Sequence, residues 1–249
     1  MVSYIAHRGE SFSAPENTLA SIKLAWINNA DGIEIDVRLS KDNKIVVIHD
    51  GSTKRTTGVP GRVKSLSLES LKKLDAGSWK GRKWSDERIP ILEEVLETVP
   101  RGKFAMVEIK SSITIIPMLK KLLHKTSLKN SQIKIAGFGL KKMSLVKKAL
   151  PEFEVYRIKR FDRGNIILNA YRLNRLIKSS KSKNLDGVSL SYSRWLDKRK
   201  VERIRSAGLK VYVWTVDNPQ KGLRLINSGI DGIISNKPAW LRDRLHSLS

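Results

Sequence analysis

Three times in this chain the dipeptide Asp-Gly stands directly before a short aliphatic run, at Asp31-Gly32, Asp186-Gly187 and Asp231-Gly232. A junction repeated in this way marks a repeated unit, in which a helix ends in a tight turn and a strand begins. Strand-like runs occur at residues 4–7, 104–109, 133–137, 154–158, 187–190, 211–215 and 232–234, with a further one opening at Gly32. Helical spacing of apolar residues predicts helices between them, among others at 15–29, 91–99 and 115–124. Eight such units in 249 residues match the size of an α/β TIM (β/α)8 barrel. Residues 51–89 differ in texture: Gly58, Pro60-Gly61 and Gly77 interrupt one short helix expected near 68–74. The expectation is a single barrel domain over 1–249 with an insertion at about 51–89.

The stretch from Gly32 to Asp50 carries the densest polar signal. Glu34 and Asp36 alternate with Ile33, Ile35 and Val37, so on a strand both acids share one face and the aliphatics take the other. Carboxylates on a buried face are costly unless they are paired or hold a cation. Too few residues separate Asp36 from His49 for a helical crossover, so the turn at Asp42-Asn43 should make an antiparallel hairpin. A turn centred between those two residues places His49 opposite Asp36.

Barrel chemistry sits at the carboxyl ends of the strands. That rule gathers His7 and Arg8 from the first strand, Glu34 and Asp36 from the second, Glu108 and Lys110 from the third and Trp214 from the seventh. Three carboxylates without cysteine favour a hard divalent cation, Mg²⁺ or Ca²⁺, over zinc. They leave the cluster near −1 with the cation bound, so an anionic substrate needs further positive charge, which Arg8 and Lys110 can supply. His7 and His49 can give and take a proton near neutral pH, and the whole suits phosphoryl transfer. His124 and His246 lie in helices without partners in sequence and read as structural. Gly137-Phe138-Gly139 reads as a turn, and Arg157, Lys159, Arg160 and Arg163 follow a strand toward the active face, either as a solvated loop or as a lipid or substrate contact.

No run approaches the roughly 20 apolar residues of a membrane-spanning helix. The first strand begins at Tyr4, which leaves no room for a signal peptide, and the lack of cysteine fits a cytoplasmic protein. The net charge of +24 is uneven: residues 1–100 hold 15 basic against 14 acidic residues, leaving 33 against 10 for the rest. Such asymmetry fits an anionic membrane surface met peripherally, or a solvated lysine-rich face.

The chain resembles the glycerophosphodiester phosphodiesterase family in His7-Arg8-Gly9, Ala14-Pro15-Glu16-Asn17-Thr18, Glu34-Ile35-Asp36-Val37, His49-Asp50 and Arg55-Thr56-Thr57-Gly58. Leu74-Asp75-Ala76-Gly77, Ile89-Pro90, Leu92-Glu93-Glu94, Glu108-Ile109-Lys110 and Trp214-Thr215-Val216 complete the match. The resemblance implies a hydrolase that cleaves a small-molecule glycerophosphodiester to glycerol 3-phosphate and an alcohol. His7 and His49 would be its acid/base pair, Glu34, Asp36 and Glu108 its metal ligands, Arg8 and Lys110 its phosphate ligands, and Trp214 a pocket wall. Two departures are Ile91 where the family usually has Thr, and Ser235-Asn236 where it usually has Thr-Asp. A lysophospholipase D acting at anionic membranes and a polyanion-binding barrel without catalysis are the alternatives. The intact histidines and acids argue against the second of these, and so against nucleic acid as the partner.

Overall fold

The computed structural model describes residues 2–161 and 166–247, so Arg163 lies outside the described residues. Eight strands run parallel: β1 (Ser3–His7), β2 (Gly32–Leu39), β4 (Phe104–Ile109), β5 (Ile133–Phe138), β6 (Glu154–Lys159), β7 (Gly187–Ser191), β8 (Lys210–Trp214) and β9 (Gly232–Ser235). Sequential neighbours pair, and β1 pairs with both β9 and β2, which closes the ring. This is the expected (β/α)8 barrel, with a short antiparallel strand β3 (Ile45–Val47) added on β2. Among the described residues no helix is long and apolar enough to cross a membrane.

Period two decides what each strand does. Ile33, Ile35 and Val37 on β2 are fully buried outside the ring, where they meet helix Leu19–Ile27 and its neighbours. Each such side chain contributes roughly 1.5–3 kcal/mol by leaving water. Their alternates, Glu34 and Asp36, therefore point into the barrel. Inside, Ile5, Met106, Ala136, Tyr156, Ile158, Tyr212 and Ile234 form the central plug.

The Asp-Gly repeat turns out to serve the barrel floor more than the turn itself. The left-handed residue that ends each preceding helix lies two positions earlier, at Asn29, Asn184 and Gly229. Each aspartate then accepts a hydrogen bond from a backbone N–H of the neighbouring strand: Asp31 from Tyr4, Asp186 from Val155 and Asp231 from Val211, all at 2.7–2.8 Å. Each glycine makes room for an interior aromatic ring. A Cβ at Gly32, Gly187 or Gly232 would come within 2.5–2.6 Å of Phe104, Tyr156 or Tyr212 respectively. The carboxylate stitches adjacent strands, and the missing side chain admits the floor ring.

The hairpin departs from the expected register by one residue. Val37 pairs with Val47 and Leu39 with Ile45, so Ile48 rather than His49 lies opposite Asp36. The cause is the turn type. Asn43 adopts φ 60°, and Ser40 N–H donates to Lys44 O, which makes a three-residue loop centred on Asp42. His49 lies beyond the ladder, where the Arg38 Nε–H donates to its carbonyl at 2.9 Å. The helices are shorter than expected, Leu19–Ile27, Leu68–Lys72, Leu92–Leu96 and Ile116–Leu123. The first begins late because Thr18 and Ser21 form a reciprocal cap, which leaves Pro15 in the preceding loop. In residues 51–89, Val63, Leu71, Ala76 and Ile89 make a small core with Val46 and Ile48 from the hairpin.

Glu10 lies in the loop after β1, 4% exposed, and its Oε2 accepts no hydrogen bond from a described residue. Burial pushes its carboxyl up to about 7, against a lowering hydrogen bond with Asn28. Between pH 4.5 and about 7 the folded chain therefore holds a proton that the unfolded chain releases, so stability falls as pH rises through that window. The loss amounts to about 3 kcal/mol at most. Glu10→Gln should remove it, and its stability relative to the parent in urea titrations should rise from pH 5 to pH 8. An unchanged difference between the two pH values would count against this role for Glu10.

Candidate active site

At the carboxyl rim of the barrel, His7, Arg8, Glu34, His49, Glu108, Lys110 and Trp214 line one small pocket of about 50 Å³. Asp36 lies beneath it, 1% exposed. The strand register makes the cluster: His7 stands beside Glu34 between β1 and β2, and Asp36 beside Glu108 between β2 and β4. One oxygen from each of Glu34, Asp36 and Glu108 lies within 4.8 Å of the others. Asp36 Oδ1 and Glu108 Oε1 accept no regular hydrogen bond from the described residues. They meet the Lys110 ammonium at 3.1 and 2.5 Å. Buried anionic oxygens with lone pairs to spare are what a hard divalent cation binds, so the residues present fit Mg²⁺ or Ca²⁺.

The electrostatics agree. Burial, then repulsion from Asp36 and Glu108, holds Glu34 well above the usual carboxylate range, and burial with Asp36 also raises Glu108. Asp36 goes the other way, because Lys110 and Arg8 outweigh its burial. Arg8 Nε sits 3.1 Å from Asp36, and Asn17 Nδ2 donates to the same carboxylate at 2.9 Å. Arg8 itself stands at φ 58°, a strained conformation for arginine. It is pinned there by its N–H, which donates to Glu34 O and Oε2, and by its carbonyl, which accepts from Asn17 N–H.

Each pocket histidine is oriented from behind. His7 Nδ1 is 2.7 Å from Asn236 Oδ1, and Asn236 in turn donates through Nδ2 and its backbone N–H to Asp217. The amide orientation makes Oδ1 an acceptor, so His7 carries its proton on Nδ1 and leaves Nε2 unprotonated, 3.9 Å from Glu34. His49 Nδ1 is likewise 2.6 Å from Asp50 Oδ1. Asp50 accepts from Arg55, Arg55 donates to Glu16, and Glu16 accepts from Arg8, so a chain of ion pairs links His49 to Arg8. Burial lowers both imidazoles, with Arg8 adding to the effect at His7.

No sequence pattern assigns a part to Asn17, Asn236, Asp217 or the Glu16–Arg55–Asp50 chain. Glu16, Asn17, Asp50 and Arg55 stand in the family motifs without a role, and Asn236 stands there only as a departure. Phe138, read as part of a turn, is a pocket wall set edge-on to Trp214, ring centres 6.3 Å apart. Of the cations after the 154–158 strand, Arg160 lines the pocket and lies over Trp214. Arg157 points outward to Ser179, as alternation from inward-facing Ile158 requires. His124 pairs with Glu152, and neither it nor His246 lines the pocket.

Comparison with known proteins agrees with this geometry. The family described as the glycerophosphoryl diester phosphodiesterase family matches residues 7–240. A glycerophosphodiester phosphodiesterase of Caldanaerobacter subterraneus subsp. tengcongensis is 36% identical over 243 residues, covering 95% of each chain. One of Bacillus subtilis is 32% identical over 253 residues, covering 94% of this chain and 83% of that one. The structure of an Oleispira antarctica phosphodiesterase in complex with the product sn-glycerol-3-phosphate superposes with a TM-score of 0.86 at 30% identity, covering 97% and 96% of the two chains. With a barrel of this architecture and a match that runs from His7 through Trp240, the chain belongs to the glycerophosphoryl diester phosphodiesterase family.

Proposed function

We propose that the protein is a divalent-cation-dependent hydrolase of the cytoplasm that cleaves glycerophosphodiesters to glycerol 3-phosphate and an alcohol. The observation that carries this reading is the meeting, in one rim pocket, of a buried carboxylate triad, two oriented histidines and two cations. Glu34, Asp36 and Glu108 would hold Mg²⁺ or Ca²⁺, which when bound supplies Lewis-acid polarisation of a phosphoryl oxygen and activation of a hydroxyl nucleophile. Arg8 and Lys110 bind and orient the phosphodiester, and their charge meets the negative charge that builds up as the leaving oxygen departs. His7 and His49, each tethered through Nδ1, present Nε2 to the reacting oxygens. One takes the proton of the nucleophile, and the other gives a proton to the leaving alkoxide. Phe138 and Trp214 form an apolar wall that keeps the departing organic group in place.

The product complex of the Oleispira relative supports glycerol 3-phosphate as the retained half. The test is glycerophosphocholine hydrolysis with and without EDTA, followed by add-back of Mg²⁺ or Ca²⁺. Release of choline with glycerol 3-phosphate, lost on chelation and restored by one of the ions, is the expected result. Turnover that ignores the chelator would remove the metal from the mechanism, and release of phosphocholine would reverse the cleaved bond.

A further inference from the structure

Beside the pocket, and sharing Lys110 with it, a groove of about 730 Å³ runs between the hairpin loop, the start of the 51–89 segment and the loop after β4. Five cations line it, Arg38, Lys41, Arg62, Lys64 and Lys110, and its lining holds no carboxylate. Serine and threonine hydroxyls fill much of the rest. Among the described residues none of Arg38, Lys41, Arg62 and Lys64 has a carboxylate partner within 4.0 Å, although three of them reach solvent. Arg38 and Lys110 feel the acids of the neighbouring pocket, but Lys41, Arg62 and Lys64 add like charge to the same concave surface without an ion-pair partner, which favours an anionic occupant.

The register explains how the groove joins the site. Asp36 pairs with Glu108 and Val37 with Ile109, and Lys110 N–H donates to Val37 O, so the next step toward the rim sets Arg38 beside Lys110. Along β2 and β4 a layer of acids is followed directly by a layer of cations. A phosphodiester held over the acid layer would therefore have one of its arms lying along the cation row.

We propose that this groove binds a second phosphate on the substrate, making glycerophosphodiesters whose alcohol itself carries a phosphate the preferred class. The inference rests on the reading of the neighbouring pocket as a phosphodiesterase site. Arginine and lysine donors suit a dianionic phosphate, and the several hydroxyls can take its remaining acceptor sites.

The probe pair is sn-glycero-3-phosphoinositol and its inositol 4-phosphate derivative, with glycerophosphocholine as the common reference. At low salt kcat/KM should be roughly tenfold higher for the phosphorylated member, through KM, and the advantage should shrink with added salt. In the double variant R62Q/K64Q, two exposed side chains whose replacement leaves the barrel core intact, that advantage should vanish while glycerophosphocholine turnover stays unchanged. Equal kcat/KM for the two inositol substrates, or an equal slowing of all three in the variant, overturns the proposal. So does weakened binding of the variant to phosphatidylglycerol vesicles with no substrate preference, which would assign the groove to a membrane surface. If no glycerophosphodiester is turned over, the phosphodiesterase reading itself fails. Calorimetry with myo-inositol 1,4-bisphosphate then still decides the groove: binding lost in R62Q/K64Q supports it, and binding unaffected refutes it.

Discussion

Asp36→Asn should lower kcat/KM for glycerophosphocholine by roughly 10³-fold, the scale of losing a preorganised electrostatic centre, while leaving the barrel folded. Asp36 is the hub of the site: Arg8, Lys110 and Asn17 all converge on its carboxylate, and Glu34 and Glu108 flank it. Charge counting separates the two consequences. Without a bound cation the three acids with Arg8 and Lys110 sum to −1 when every acid is ionised, and the amide leaves Glu34 and Glu108 against the two cations, a sum of zero once Glu34, freed from the repulsion of Asp36, ionises. The substitution therefore does not strand an uncompensated excess of charge, the condition that makes breaking a buried pair so costly. It also relieves Glu34, whose carboxyl is raised first by burial and next by Asp36. What is lost is the local negative charge that attracts a divalent ion. Saturating Mg²⁺ or Ca²⁺ at about 100 times its dissociation constant should stabilise the parent by about 2.7 kcal/mol. That increment, read as a shift in Tm, should be absent in Asp36→Asn. A variant that keeps the parental rate, or the parental Tm shift, would mean that Asp36 is not a cation ligand.

How far this site could be read in advance depended on the range of the interactions. The inward row Glu34–Asp36 and the rim positions of Glu108, Lys110 and Trp214 follow from period-two alternation, which needs only neighbouring residues. The supports behind them do not. His7 finds Asn236 229 positions away, and Arg55 crosses from the 51–89 segment to Glu16. No local periodicity encodes either contact. The hairpin register failed for a different reason. A two-residue and a three-residue loop differ by one position in pairing, and the choice rests on whether Asn43 takes a left-handed conformation, which its side chain permits without requiring. His49 nevertheless reaches the pocket, because Arg38 holds its carbonyl after the ladder ends. The Asp-Gly junctions identified the right repeat through the wrong detail: their chemistry is strand stitching and aromatic clearance, and the chain reversal lies two residues upstream.

His7→Ala and His49→Ala should each cost 10² to 10⁴ in rate, the range expected for loss of a general acid or base, and they should part company on an activated substrate. The two imidazoles are tethered alike but backed differently: His7 by the neutral amide of Asn236, His49 by the carboxylate of Asp50. A carboxylate behind an imidazole favours its protonated form, whereas a neutral amide does so weakly. On this reading His49 is the proton donor and His7 the acceptor, since burial and Arg8 favour the neutral form of His7 with the Asn236 amide the main group to oppose them, whereas the carboxylates of Asp36 and Asp50 oppose the same effects at His49. A glycerophosphodiester whose leaving group is a nitrophenolate needs no proton on departure. His49→Ala should recover most of the parental rate on it, and His7→Ala should stay slow. Because burial lowers His7 below the ordinary imidazole value, the acidic limb of kcat/KM should lie below pH 6.5 in the parent and persist in His49→Ala. Rescue of His7→Ala instead would exchange the two roles. Rescue of neither would mean that leaving-group protonation does not come from this pair, and the proton donor would have to be sought among the other groups lining the pocket.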